Sequence, residues 1–184
     1  MNQVERLLES FKTVLRDSWD PGLAGPQKVW LAIYDPPEER RLRLRIPYFA
    51  EATKQAGFEW KLIDLTDVFA EWMAQQEYRE AYFESPEDLD IALADSFVKY
   101  VAGKVRDELA AVGVTDHTLV VIEGIASLFG LMRVSHLLEQ VAPAIRGRLL
   151  VFFPGQRDGS NYRLLDARDG WNYLARPITA AEVK

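Results

Sequence analysis

Apolar residues recur at i, i+3, i+4 and i+7 through the first stretch of the chain. Val4, Leu7, Leu8, Phe11, Val14 and Leu15 share one face, with Glu5, Glu9, Lys12 and Arg16 elsewhere on the wheel. The spacing predicts an amphipathic helix over residues 2–18. WDPGLAGPQ (residues 19–27) is dense in Gly and Pro and reads as a connector. VWLAIYD (29–35) is a short, nearly continuous apolar run, as expected of a strand buried on both faces. Pro36-Pro37-Glu38-Glu39 then reads as a helix start, with acids at the positive dipole end. That helix should run to Ala56, stop at Gly57 and kink at Pro47, although RLRLR (41–45) also alternates as a strand would.

FEWKLIDL (58–65) predicts a second strand, with Thr66 capping the helix after it. Ser85-Pro86-Glu87-Asp88 combines an N-cap, a first-turn Pro and first-turn acids. Leu89, Leu93, Phe97, Val101, Val105 and Leu109 continue from it at i+4 spacing, which predicts one long helix ending by Gly113. TLVVIEG (118–124) is a third strand, LFGLMRVSHLLEQV (128–141) a helix, and RLLVFFPG (148–155) a fourth strand. Two apolar-aromatic segments around Asp169-Gly170 signal a hairpin. Strand and helix thus alternate four times. The pattern predicts an α/β fold: a mainly parallel central sheet with helices on both faces, Rossmann-like but without a P-loop, and a C-terminal β-hairpin. One domain is expected over 1–184: a helix at 2–18, sheet and helices at 28–155, and a loop and hairpin at 156–178.

Composition narrows the chemistry. The 184 residues are 48% hydrophobic and 27% charged, the balance of an ordered globular chain. A net charge of −6 argues against a basic phosphate-binding face, so direct DNA contact is not expected. The chain has no Cys, which removes disulfides, thiolate nucleophiles and Cys-ligated zinc. MNQVERLLES lacks an apolar signal region and no apolar run is long enough to span a bilayer, so a cytoplasmic protein without a membrane anchor is expected.

Ligands of such sheets bind beyond the carboxyl ends of the strands. Those ends carry neither G-x-G-x-x-G nor G-x-x-x-x-G-K-[ST], so no nucleotide or other cofactor is expected. Asp35, Asp64 and Glu123 could converge on Mg²⁺ as a degenerate nucleotide- or metal-binding enzyme would use them, but acids after strands also cap the next helix, and capping is the favoured reading. Ser127 follows Ile125-Ala126 and does not sit in a nucleophile elbow. His136, with Leu137 and Leu138, reads as a structural histidine of a helix, and His117 as a loop residue in solvent. Trp30 and Trp60 belong to predicted strands and to the core. Trp19, Trp72 and Trp171 flank connectors, where an aromatic is more available to a partner. Arg40, Arg41, Arg43 and Arg45 form one basic stretch, read first as a solvated helix face and otherwise as a docking face for an acidic partner or nucleic acid.

Three stretches together resemble one family. LVVIEGIASLFGLMRVSHLLEQV is similar to the Gly-x-x-Ser-Leu-aromatic and Arg-Val-x-x-Leu-Leu segment of the BrxB proteins, small subunits of bacteriophage exclusion (BREX) defence systems. VFFPGQRDGSNYRLL resembles their Pro-Gly-x-x-Asp-Gly block, and YDPPEE their Asp-x-Pro-Pro-Glu-Glu segment. The resemblance implies a non-enzymatic interaction subunit of an antiphage complex. Its partners would be a PglZ-type phosphatase-fold protein, a methyltransferase and a large ATPase. The candidate partner-binding residues lie in the two most specific segments: Ser127 and Arg133 in the first, and Pro154, Gly155, Arg157, Asp158, Gly159 and Arg163 in the second. In this reading Gly155 lets the chain leave the sheet, Asp158-Gly159 makes a tight turn, and Arg157 and Arg163 are displayed on it.

Overall fold

The computed structural model describes residues 1–167 and 170–180. Five strands lie side by side in the order β2-β3-β4-β1-β7: β1 is Val29–Tyr34, β2 Glu59–Asp64, β3 Thr118–Glu123, β4 Arg148–Asp158 and β7 Arg176–Thr179. All neighbours in this row run parallel. The sheet is nevertheless mixed, because β5 (Asn161–Leu164) pairs antiparallel with the outer end of β4, and β6 (Trp171–Asn172) antiparallel with β5.

Side chains alternate across the strands, and the alternation sorts the core into two layers. Val29, Leu31 and Ile33 face one layer with Leu149, Val151 and Phe153. Trp30, Ala32 and Tyr34 face the other with Leu150 and Phe152. The second layer is covered by α1 (Gln3–Leu15) and α2 (Glu39–Gln55); the first by α3 (Val68–Ala74), α6 (Val98–Ala110) and α7 (Val134–Val141). The passage from β1 to β2 crosses the sheet over α2, and the steps β2 to β3 to β4 return over the opposite face. Direction and face both reverse, so these crossovers keep one hand, as parallel units require. The carboxyl ends of β1 to β4 consequently share one edge. Among the described residues no helix is long and apolar enough to cross a membrane.

Several local expectations fail for identifiable reasons. The 128–141 helix begins only at Val134: a 3₁₀ turn at Ile125–Leu128 is closed by Gly130 in the left-handed region (φ 75°), and Arg133 is extended. Phe129 and Met132 therefore line a cleft instead of a helix face. The helix expected from Ser85 does run unbroken from Pro86 to Ala110, as α5 (Pro86–Ala92), a π-helical turn at Leu93–Phe97 and α6, but Ser85 makes no side-chain cap. Thr66 does not cap α3, whose N-cap is Asp67; its hydroxyl is engaged with Asp64 and Arg43. His136 is exposed, because α7 buries Val134, Leu137, Leu138 and Val141 at the i, i+3, i+4, i+7 spacing of one face and His136 falls outside that stripe. Trp72 is among the most buried side chains, whereas Trp60 is only partly buried against the core.

The chain's exit from the sheet is also different. β4 runs through Pro154 and Gly155 to Asp158, and the tight turn falls at Gly159-Ser160 between paired Asp158 and Asn161. Asp169, half of the expected hairpin signal, lies outside the described residues; β5 and β6 pair antiparallel on either side of it. The tail then does something the pattern did not suggest: β7 returns to the central sheet as a parallel edge strand beside β1.

Candidate functional site

Two places at the carboxyl edge gather polar chemistry. The first joins α2 to the ends of β2 and β3. Glu39 accepts hydrogen bonds from the Tyr34 hydroxyl and from Arg43 Nε (2.7 Å). Arg43 Nη2 also donates to Thr66 Oγ1 (2.9 Å), and Thr66 donates from its backbone N (2.9 Å) and hydroxyl (2.5 Å) to Asp64 Oδ1. Gly124, at φ 77°, closes over this chain: a β-carbon there would lie 2.5 Å from Thr66 Oγ1 and 2.6 Å from Thr66 N. Burial, and then the bond to Glu39, pushes the Tyr34 hydroxyl far up, so it stays a donor. The bond to Glu39 holds the Arg43 guanidinium above its ordinary range.

Glu123 sits opposite Asp64 in the strand register. Asp35 does not join them; its carboxylate accepts from Gln3 Nε2 (2.9 Å) and its backbone N donates to Gln3 Oε1 (3.0 Å). Among the described residues no three His, Asp or Glu side chains are grouped to hold a metal ion. Arg43, bonded to Glu39 and to Thr66, makes this cluster a clasp between α2 and the sheet.

Glu123 is held above its ordinary value of 4.5, first by burial and then by the Asp64 charge, with Arg43 opposing. An acid raised in this way binds its proton more readily folded than unfolded. Its contribution is favourable below 4.5 and is lost as pH rises through the raised value. Glu123→Gln is therefore expected to raise the melting temperature at pH 7, and the gain should vanish near pH 4, where both chains carry a neutral group. Melting both chains at the two pH values checks this; an equal shift at both would mean that ionisation of Glu123 is not the cause.

The second place is the β4–β5 hairpin. Gly159 (φ 59°) occupies the first of two loop positions, the one that a type II′ turn reserves for glycine. Gly155 is required by close approach rather than by backbone angle, since a β-carbon there would meet the Arg163 carbonyl oxygen at 2.1 Å. Pro154 and Gly155 are buried; Arg157, Asp158, Gly159 and Arg163 are exposed. The ribbon is held down by an aromatic cluster in which Tyr162 lies 6.2 Å from Phe153 and 5.4 Å from Trp171. The Tyr162 hydroxyl donates to the Ala175 carbonyl (3.2 Å), and burial raises its pKa while Arg157 opposes the shift.

The register separates the two arginines. Arg157 pairs with Tyr162, and Gln156 with Arg163; directly opposed residues share a face and successive pairs alternate. Arg157 thus lies on the face that packs toward the sheet with Tyr162 and Leu164, and Arg163 on the reverse. Beside that first face opens a cleft of about 330 Å³ lined by Phe129, Met132, Arg133 and Val134 on one side and Leu164 and Trp171 on the other. The fold therefore brings Arg133 to the hairpin. Ser127 stays half-buried in the 3₁₀ turn and does not line the cleft. Sequence reasoning did not find Phe129, Met132 and Trp171 as one surface; the Gly130 interruption was the available signal.

The family model described as BREX protein BrxB matches residues 61–177, which is more than half of the chain. No curated protein and no solved structure matches it.

Proposed function

Since the chain belongs to the BrxB family of BREX proteins and is thereby a component of a BREX antiphage system, we propose that it acts there as a non-enzymatic interaction subunit, docking a PglZ-type partner at the hairpin end of β4. The observation that carries the reading is the pairing of an apolar cleft with two exposed arginines, Arg133 and Arg157. Among the described residues neither forms an ion pair. Arginine's planar fork suits bidentate pairing with a partner carboxylate, and arginine and aromatic side chains supply most interface hot spots. Pro154, Gly155, Asp158 and Gly159 shape the ribbon in advance, which limits the ordering cost of docking. Ser127 supports the turn that leads to the cleft. The methyltransferase and the large ATPase of such a system would assemble around this pair.

Arg133→Ala with Arg157→Ala should weaken co-purification with a PglZ-type protein at least about tenfold, one truncated hot spot being worth on the order of 2 kcal/mol. The melting temperature should barely move, because both side chains are exposed. Arg163→Ala alone should bind almost normally, since Arg163 is on the other face. Full binding by the stably folded double variant, or loss on Arg163→Ala alone, would remove the cleft face from the interface.

A further inference from the structure

A separate surface lies on α3, α4 (Arg79–Glu84) and α5. Neither α4 nor α5 buries a single residue: α4 is a six-residue helix with little stability of its own, and α5 is the outer end of the helix that continues into α6. Instead they expose apolar side chains: Phe83 is 75% accessible, Ile91 74%, and Tyr78, just before α4, 68%. Phe69 and Met73 of α3, Tyr82 and Phe83 of α4, and Leu89 of α5 line an open groove of about 740 Å³. Of the three exposed side chains, Phe83 lines the groove, and a contiguous apolar surface rimmed by polar residues marks an interaction site.

The charge around the groove selects its occupant. Glu77, Glu80, Glu84, Glu87, Asp88 and Asp90 are all exposed, against one base, Arg79, whose guanidinium is turned to the Ala74 carbonyl (3.3 Å). None of these six acids is ion-paired among the described residues. We propose that the groove docks a cationic amphipathic helix of a partner protein: apolar anchors at i, i+3, i+4 and i+7 enter between α3 and α5, and Lys or Arg on its flanks meet the acidic rim. A second copy of this chain is the weaker occupant. Its exposed basic helix, α2, has Arg41, Arg43 and Arg45 already paired with Glu38, Glu39 and Glu5, and only Arg40 of that stretch is left to bring. This surface lies apart from the hairpin cleft, and neither reading depends on the other.

The test uses the full chain and a labelled helical peptide of about 18 residues with Leu at the anchor spacing and Lys elsewhere, beside a scrambled peptide of equal composition. Fluorescence anisotropy should show the patterned peptide binding at least about tenfold tighter than the scrambled one. Phe83→Ser should remove about tenfold, and Glu80→Lys with Glu84→Lys a similar factor at low salt that shrinks as salt is added. These residues are exposed, so circular dichroism and melting should be unchanged, and Arg133→Ala with Arg157→Ala should leave peptide binding intact. Equal affinity for the scrambled peptide would reduce the surface to unspecific charge attraction. Binding untouched by Phe83→Ser would show that the groove is not read. Sedimentation of a wild-type dimer that dissociates on Arg40→Glu would assign the groove to a second copy. Each of these three results overturns the proposal.

Discussion

Gly155→Val should detach the hairpin from the protein and lower its stability by about 3 kcal/mol. A β-carbon at this position would stand 2.1 Å from the Arg163 carbonyl oxygen and 2.9 Å from Phe153 Cε1. Neither neighbour can step aside cheaply: one is backbone of the paired strand, the other a ring in the core. The clash sits beside the bond from Leu165 N to the Pro154 carbonyl (2.8 Å) and within the Gly155–Leu164 pair, so relief comes by parting β4 from β5. Parting them uncovers Tyr162 and Leu164, 1% and 7% accessible in the folded chain, and loosens Trp171. Overpacking costs about 1–3 kcal/mol and the exposed aromatic surface adds to it. At roughly 2–4 °C per kcal/mol for a chain of this size, the melting temperature should fall by about 6–12 °C. Calorimetry reads the fall, and near-ultraviolet circular dichroism should lose the aromatic signal of the hairpin. A melting point within about 1 °C of wild type would mean that β4 and β5 are not held as closely as described.

The same glycine shows where sequence reasoning stops. Pro-Gly after an apolar run was legible as a break, and by local rules a break leaves the sheet. Whether a strand ends there depends on the segment that comes back, and the return of Asn161–Leu164 along β4 is a non-local pairing. Four of the five parallel strands were readable from local signals: β1, β3 and β4 are short apolar runs bounded by turn residues, and β2, at the sheet edge, alternates apolar and charged residues. β7 was not readable for the converse reason. Arg176–Thr179 has four residues, contains Pro177 and contributes only Ile178 to the core, and Pro is tolerated there because the strand is at the edge.

The candidate site was half legible for a similar reason. Arg157 and Arg163 are close in sequence and were read as one display, but an antiparallel register puts them on opposite faces, and register is set by the turn. Arg133 reached the same surface through Gly130, which ended a periodic pattern that looked helical. Composition hid the acidic groove altogether. Tyr82, Phe83 and Leu89 carry the residue types of a core, and only the burial of their neighbours tells that they are outside it. Trp72 was misplaced in the other direction, onto a connector, because α3 is too short to show its period.

Trp72→Ala should be the most damaging single truncation on that side of the sheet. The indole is 1% accessible, its ring centroid lies 5.3 Å from Phe97 and 6.1 Å from Phe69, and its Nε1 donates to Ser96 Oγ at 3.2 Å. It thereby ties α3 to the π-helical turn that holds Phe97 in the core. Removing a buried Trp leaves a cavity that surrounding helices fill only in part, at a cost of about 3–5 kcal/mol, or roughly 6–20 °C in melting temperature. Trp72→Phe keeps an aromatic ring packed against Phe69 and Phe97 and loses the hydrogen bond, so it should cost clearly less. The two variants also bear on the groove, because Phe69 and Met73 form its α3 wall. Trp72→Ala should weaken the patterned peptide along with stability, whereas Phe83→Ser weakens the peptide alone. A loss below about 1 kcal/mol for Trp72→Ala, measured by denaturant unfolding, would show that α3 is not anchored through this indole. Peptide binding would then have to rest on α4 and α5 without it.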